Sequence, residues 1–174
     1  MTLSDYQKLI KATALYPNVG NNIIYPSLGL CGECGELFEK ILMTPYQVIE
    51  ILKELGDIMW YCGRLSSEIN CNLTELYNKS LDFILHNNLK FEEEMIIRAG
   101  NISEISKKVL RDKNGIIDEK DKDKYYQNLI VVLYCVDGLC EEYGSTIEEI
   151  AQMNIEKLLD RKNRGVLKGS GDDR

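Results

Sequence analysis

The sequence predicts an all-α protein, a helical bundle. Three observations lead there. Inward-facing positions recur at spacings of three and four, as in Tyr6, Leu9, Ile10 and Thr13, and again in the apolar Met95, Ile96, Ala99, Ile102, Ile105 and Val109. Several such stretches follow a Ser, Thr or Asn with Glu or Gln three residues on, the signature of a helix start. No segment alternates apolar and polar residues between turn signals, so no strand is expected.

The elements follow in order. Ser4-Asp-Tyr-Gln7 reads as a capping box and opens a helix over 4–15. Pro17, Asn18, Gly20, Asn21 and Asn22 then make a loop up to Pro26. Ser27 is the expected N-cap of a helix over 27–43. Thr44 caps a third helix over 45–69, with Pro45 at its first position, where a missing N–H does no harm. Asn72 opens a fourth that ends near His86, itself read as a loop residue. A helix over 90–111 is closed by the turn Arg111-Asp-Lys-Asn-Gly115. The charged run 118–124 is a solvated loop or a helix start. An apolar helix over 125–143 ends at Gly144, and Ser145 caps a last helix reaching Asn163. The tail 164–174, rich in glycine and charge, is expected to be irregular.

The 174 residues suffice for one domain with a core of its own. A net charge of −7 disfavours binding to nucleic acid polymers. No apolar run is long enough to span a bilayer, and Asp5 and Lys8 interrupt the N-terminus too early for a signal peptide. A cytoplasmic protein is the expectation. Of the six cysteines, Cys31 and Cys34 have the C-x-x-C spacing of zinc and redox sites. No second close pair or histidine cluster accompanies them, so small buried thiols are the plainer reading.

Two acidic pairs stand out within residues 28–61: Glu33 with Glu36, and Glu54 with Asp57. Residues three apart share a helix face, so each pair points two carboxylates one way. Each lies among apolar residues, Leu28, Leu30, Leu37 and Ile41 for the first, Ile51, Leu55, Ile58 and Met59 for the second. Like charges in such surroundings repel and resist desolvation. Four carboxylates converging from two packed helices relieve that cost by holding a hard divalent cation. Acids spaced by three are more often a solvated face, as expected for Glu50, but two such pairs among apolar residues argue otherwise. Gly32, Gly35, Gly56 and Gly63 each cost a helix roughly 1 kcal/mol relative to Ala. Close helix approach around a metal site would account for them.

The chain also repeats itself. Residues 100–109 align with 32–41, 133–135 with 60–62 and 147–150 with 73–76. In this register Glu104 matches Glu36, but Asn101, Gln127 and Ile130 stand where Glu33, Glu54 and Asp57 do. The expectation is a single all-α domain over 1–174. Its half 1–86 carries the acidic site, and 87–163 is a degenerate copy.

The combination Gly32-Glu33-x-Gly35-Glu36, a spacer, and Glu54-Leu-Gly-Asp57-Ile-Met-Trp-Tyr61 resembles the MazG-like nucleotide pyrophosphohydrolases. These belong to the all-α NTP pyrophosphatase superfamily, whose E-x-x-E and E-x-x-D pattern is matched here at all four positions. The segment from Asn154 to Asp172 and the opening Tyr6, Gln7 and Thr13 are also similar to that family. In simpler members the C-terminal segment follows the E-x-x-D helix directly. Here residues 81–127 and a degenerate helix intervene, which resembles a fused pseudo-dimer.

The resemblance implies Mg2+-dependent hydrolysis of a nucleoside triphosphate to the monophosphate and pyrophosphate. Glu33, Glu36, Glu54 and Asp57 would hold Mg2+, or Mn2+ in its place. Glu36 or Glu33 would serve as general base. Lys53, Lys157, Arg161 and Arg164 are candidate phosphate contacts. For the last three, favourable placement at a helix C-terminus is an equal alternative. Tyr61, one turn beyond Asp57, is a base or sugar contact or a core aromatic, and Trp60 is a weaker candidate. Monomer and homodimer are both open. The rival class is a non-catalytic nucleotide-binding or helical interaction protein on the same fold.

Overall fold

The computed structural model describes residues 1–168. Among these it contains helices and no strand. Helix α1 spans Leu3–Ile10 and runs on into a short 3-10 turn, Lys11–Thr13. Then come α2 Ile24–Leu42, α3 Val48–Glu68, α4 Leu73–Leu81, α5 Phe91–Lys113, α6 Glu119–Glu142 and α7 Ile147–Asn163. Among the described residues no helix is long and apolar enough to cross a membrane. Of the expected irregular tail, residues 164–168 carry no helix, and 169–174 lie outside the described residues.

The chain's caps explain where these helices begin, and several differ from the sequence expectation. The Thr2 hydroxyl, not Ser4, caps α1 by accepting from the Asp5 N–H. Gln7 therefore caps nothing at home. Its amide donates to the Ser66 and Ser67 hydroxyls and the Cys71 carbonyl, and its oxygen accepts from Leu73 N–H, tying α1 to the α3–α4 corner. Ser27 lies inside α2 rather than at its cap, and its hydroxyl donates to the Ile23 carbonyl. Pro26 sits in the first turn of α2, where a missing N–H leaves no bond unmade. Residues 43–47 stay outside the helices, with a cis Thr44–Pro45 peptide, and α3 starts at Val48 behind an extended Gln47.

Downstream, Asn72 caps α4 through the Thr74 and Glu75 N–H groups as expected. That helix stops at Leu81, well before His86. The charged run 118–124 is a helix start: Asp118 and Asp121 form a reciprocal capping box for α6. The box of α7 is Thr146 with Glu149, one residue beyond the expected pair. Gly144 takes φ +71° just past α6, a conformation that favours glycine.

Helix α3 is the centre of the bundle. Its apolar residues go around more than one face, so it must be covered on several sides. Ile51, Leu55, Ile58, Met59, Cys62 and Leu65 are fully buried, and α1, α2, α4, α6 and α7 all pack against it. Each such Ile or Leu contributes roughly 1.5–3 kcal/mol by burial. Helices α2 and α3 form one hairpin and α5 and α6 another, with α2 also against α5 and α3 against α6.

The glycine expectation holds in part. An added Cβ at Gly56 would lie 3.1 Å from Asn154 Cβ and 3.2 Å from the Ile150 carbonyl oxygen, so α3 and α7 touch there. Gly32 and Gly35 instead face open space, and no close approach accounts for them. Leu28 is likewise 62% exposed rather than part of the acidic pair's apolar surround.

Candidate acidic metal centre

Helix α2 buries Leu30, Cys34 and Leu37 and so aims Glu33 and Glu36 along its edge toward α3. Helix α3 buries Leu55 and Ile58 and presents Glu54 and Asp57 one turn apart. Carboxylate oxygens of Glu33, Glu36 and Glu54 lie within 4.8 Å of one another. Glu54 is only 3% exposed, Glu33 is half-buried and Glu36 faces solvent. The set is graded, with a buried floor and an open mouth.

Asp57 completes the group from one turn further along, but it already has partners on α7. Asn154 Nδ2 donates to its Oδ1 at 2.7 Å, and Lys157 Nζ stands 2.6 Å from its Oδ2. The electrostatics join all four acids. The Glu33 carboxyl is pushed up to about 8, first by burial, then by Asp57, Glu36 and Glu54, with Lys157 pulling the other way. A cation held among these acids would offset both the burial and the mutual repulsion that keep the Glu33 carboxyl from ionising. The donors are all oxygens, the set a hard ion such as Mg2+ prefers. The residues fit the group.

The aromatic neighbours divide cleanly. Tyr61 lays its ring over Gly29 of α2, where an added Cβ would come within 2.1 Å of a ring carbon and force the ring to move. Its phenol is pushed upward by burial, then by Glu33 and Tyr25, which places it beside the acids. Trp60 turns the other way. Its indole N–H donates to Thr13 Oγ1 at 2.9 Å, and it is a core side chain.

The basic residues divide as well. Lys157 reaches the acids. Lys53 is half-buried with Nζ 2.8 Å from Glu50 Oε1, so Glu50 is an ion-pair partner as well as a surface acid. Arg161, one turn after Lys157, is 4% exposed, and exposed Arg164 donates to Asp160 at 2.8 Å. Cys34 is buried and its thiol pushed well up, whereas Cys31 is exposed and so departs from the buried-thiol reading. Among the described residues, neither joins a cluster of metal-ligating side chains.

Two groups carry the site without a role in the sequence reading. Tyr6, fully buried, donates its hydroxyl to Asn154 Oδ1 at 2.8 Å, fixing the amide that in turn holds Asp57. The only signal was a polar residue on the apolar face of α7. The second is Glu68. It accepts from the Tyr16 hydroxyl at 2.6 Å and from Gly20 and Asn22 N–H at 2.8 Å, with Arg64 beside it. This clamp holds the loop before α2 and stacks Tyr16 on Tyr25, ring centroids 4.8 Å apart. An Arg and a Glu four apart on a helix that is otherwise buried was its signal.

No protein-family model matches the chain, and no solved structure matches it. Gene 37 protein of Mycobacterium phage L5 is 38% identical over 80 residues, covering 46% of this chain and 70% of that protein. The chain belongs to the family of that phage protein. The Gene 37 family name carries no activity, so the function rests on the site.

Proposed function

We propose that the chain is a MazG-like, Mg2+-dependent nucleoside triphosphate pyrophosphohydrolase, converting a triphosphate and water to the monophosphate and pyrophosphate. The observation that carries this is the convergence of Glu33, Glu36 and Glu54, with Asp57 adjoining, at one edge of the α2–α3 hairpin. The same four residues make up the E-x-x-E and E-x-x-D pattern.

Glu33, Glu36 and Glu54 would hold the cation, joined by Asp57 when Lys157 turns to substrate. The cation supplies neutralisation of phosphate charge and orients water there. The chain's own groups do the rest. Glu36, exposed at the mouth, accepts the proton of the attacking water at a carboxylate oxygen; Glu33 is the other candidate. Lys157, already beside Asp57, offers its ammonium to the phosphate oxygens. Lys53, Arg161 and Arg164 are further phosphate contacts. Tyr61 borders the acids, with the half-exposed Tyr25 beside it, and the two offer aromatic surface to a base or sugar. The two hairpins, α2–α3 and α5–α6, support a degenerate internal repeat. In the second, Asn101 stands in the place of Glu33 and donates to the Asn128 amide oxygen.

A second reading is a nucleotide-binding protein without turnover. The observation favouring it is Lys157 seated on Asp57, since a lysine there neutralises one of the four acids. One experiment separates the two. The protein is incubated with a panel of NTPs and dNTPs with Mg2+, and pyrophosphate is measured. The enzyme reading expects release that needs the metal and falls at least about 100-fold in Glu36→Gln and Asp57→Asn. Nucleotide binding without pyrophosphate from any substrate establishes the second reading.

A further inference from the structure

A second recess lies away from the acidic centre, between the 43–47 connection, the 82–90 segment and the C-terminal end of α6. It has a volume of about 760 Å³, the size of a small-molecule site. Four of its lining residues are aromatic and four are aliphatic. Tyr46 meets Tyr143 edge to face with centroids 6.1 Å apart, and Phe91 meets Tyr134 in the same manner at 5.7 Å. The Phe91 ring is seated against Gly138 of α6, where an added Cβ would lie 2.5 Å from the ring. That wall is therefore built into the helix packing.

The charges lining the recess are Glu92, Glu142 and Lys90. Glu92 is the telling one. Its side chain is nine-tenths buried, yet no hydrogen bond among the described residues reaches it. The nearest cation, Lys90 Nζ, stands 3.8 Å off on a side chain that is three-quarters exposed. Glu94, two residues on, shows what a satisfied acid looks like here, with Arg98 at 2.6 Å and the Asn87 amide at 2.9 Å. The carboxylate oxygens of Glu92 still reach solvent and line the recess, where a negative charge on a largely desolvated side chain gains from a cationic ligand. Aromatic side chains lining the same recess favour a cation with an apolar body over a wholly polar one, since a ring attracts positive charge at its face.

We infer that this recess binds an organic cation with a flat apolar body, such as a protonated amidine, guanidine or arylamine, its charge at Glu92 and its body among Tyr46, Phe91, Tyr134 and Tyr143. This site is independent of the pyrophosphohydrolase reading. The probes are benzamidine and its neutral near-isostere benzamide, titrated calorimetrically and followed by aromatic NMR resonances. Benzamidine is expected to bind at least tenfold more tightly than benzamide and to shift the Phe91, Tyr134 and Tyr143 resonances. Glu92→Gln is expected to abolish that preference while pyrophosphate release stays unchanged. Glu142→Gln, on an exposed residue, is expected to weaken benzamidine about threefold and serves if Glu92→Gln does not fold. Binding is expected to persist in Glu33→Gln/Glu36→Gln, which separates it from cation capture by the other acids. Equal affinity for the two probes, undiminished binding in Glu92→Gln or in Glu142→Gln, or shifts confined to Tyr25 and Tyr61 would overturn the inference.

Discussion

Asn154 of α7 donates from Nδ2 to Oδ1 of Asp57 on α3 at 2.7 Å, and this bond orients one acid of the candidate metal centre. The amide is itself held by the buried Tyr6 hydroxyl. Asn154→Leu removes both bonds. It leaves the Tyr6 hydroxyl enclosed without an acceptor, which costs about 1–3 kcal/mol. The expected outcome is a lower denaturation midpoint together with about a tenfold loss in kcat, while Tyr6→Phe, which spares the Asp57 bond, loses stability far more than rate. Equal kcat for wild type and Asn154→Leu would show that Asp57 needs no such holder.

Gly56 and Gly32 are both glycines inside helices, yet they predict opposite responses to alanine. At Gly56 the new methyl meets the Ile150 carbonyl oxygen, a backbone atom that cannot step aside without moving α7. Gly56→Ala is expected to destabilise by about 1–3 kcal/mol. At Gly32 the methyl meets nothing, so Gly32→Ala gains the helix propensity of alanine and is expected to stabilise by roughly 0.5–1 kcal/mol. Thermal melts of the two variants check this, since 1 kcal/mol moves the midpoint by about 2–4 °C at this chain length.

The Glu33 carboxyl, faced by Glu36 on α2, Glu54 and Asp57 on α3 and Lys157 on α7, gives the metal-free protein a pH dependence. Its proton is held more tightly in the folded chain, with the carboxyl moved from 4.5 to about 8. The stabilisation is fully present below about pH 4.5 and is lost as pH rises through about 8. In chelator, Glu33→Gln is therefore expected to melt above wild type at pH 8.5 and to lose that advantage toward pH 5. Added Mg2+ is expected to raise the wild-type midpoint at pH 8.5 and leave the variant's much less changed. A wild-type-minus-variant difference that does not vary with pH would contradict a Glu33 carboxyl held protonated by burial and by its acidic neighbours.

The cysteines should react in two classes. Cys31 is exposed, whereas Cys62, Cys135 and Cys140 are buried with thiols pushed up to about 12, and Cys34 is pushed well up too. The thiolate is the reactive form. At pH 8 the native protein is expected to show rapid modification at Cys31, slower modification at Cys71, and the remaining four only on unfolding. Peptide mapping after alkylation would identify fast labelling at Cys62 or Cys135, which would contradict the packing of α3 and α6.

Much of the fold was legible because helix signals are local. The three-four spacing of Ile51, Leu55, Ile58 and Met59 declares a helix, and Asn72 and the Asp118 run declare starts. The caps at Ser4, Ser27 and Thr44 misled because their motifs are short, and at the first of them Gln7 found partners elsewhere in the fold. Gln7, drawn to the α3–α4 corner, is the clearest case.

The sequence by itself determined that four carboxylates sit in pairs on helix faces, since a spacing of three does so wherever a helix forms. It determined the all-α class for the same reason. Only the tertiary structure decided how those acids differ. Burial between α2 and α3 makes Glu33 hard to ionise and leaves Glu36 open to solvent. Asp57 meets Lys157 and Asn154, because α7 returns across the chain to pack on α3 at Gly56. Desolvation and charge pairing depend on distance in space, and residues nearly a hundred positions apart carry no local signal of meeting.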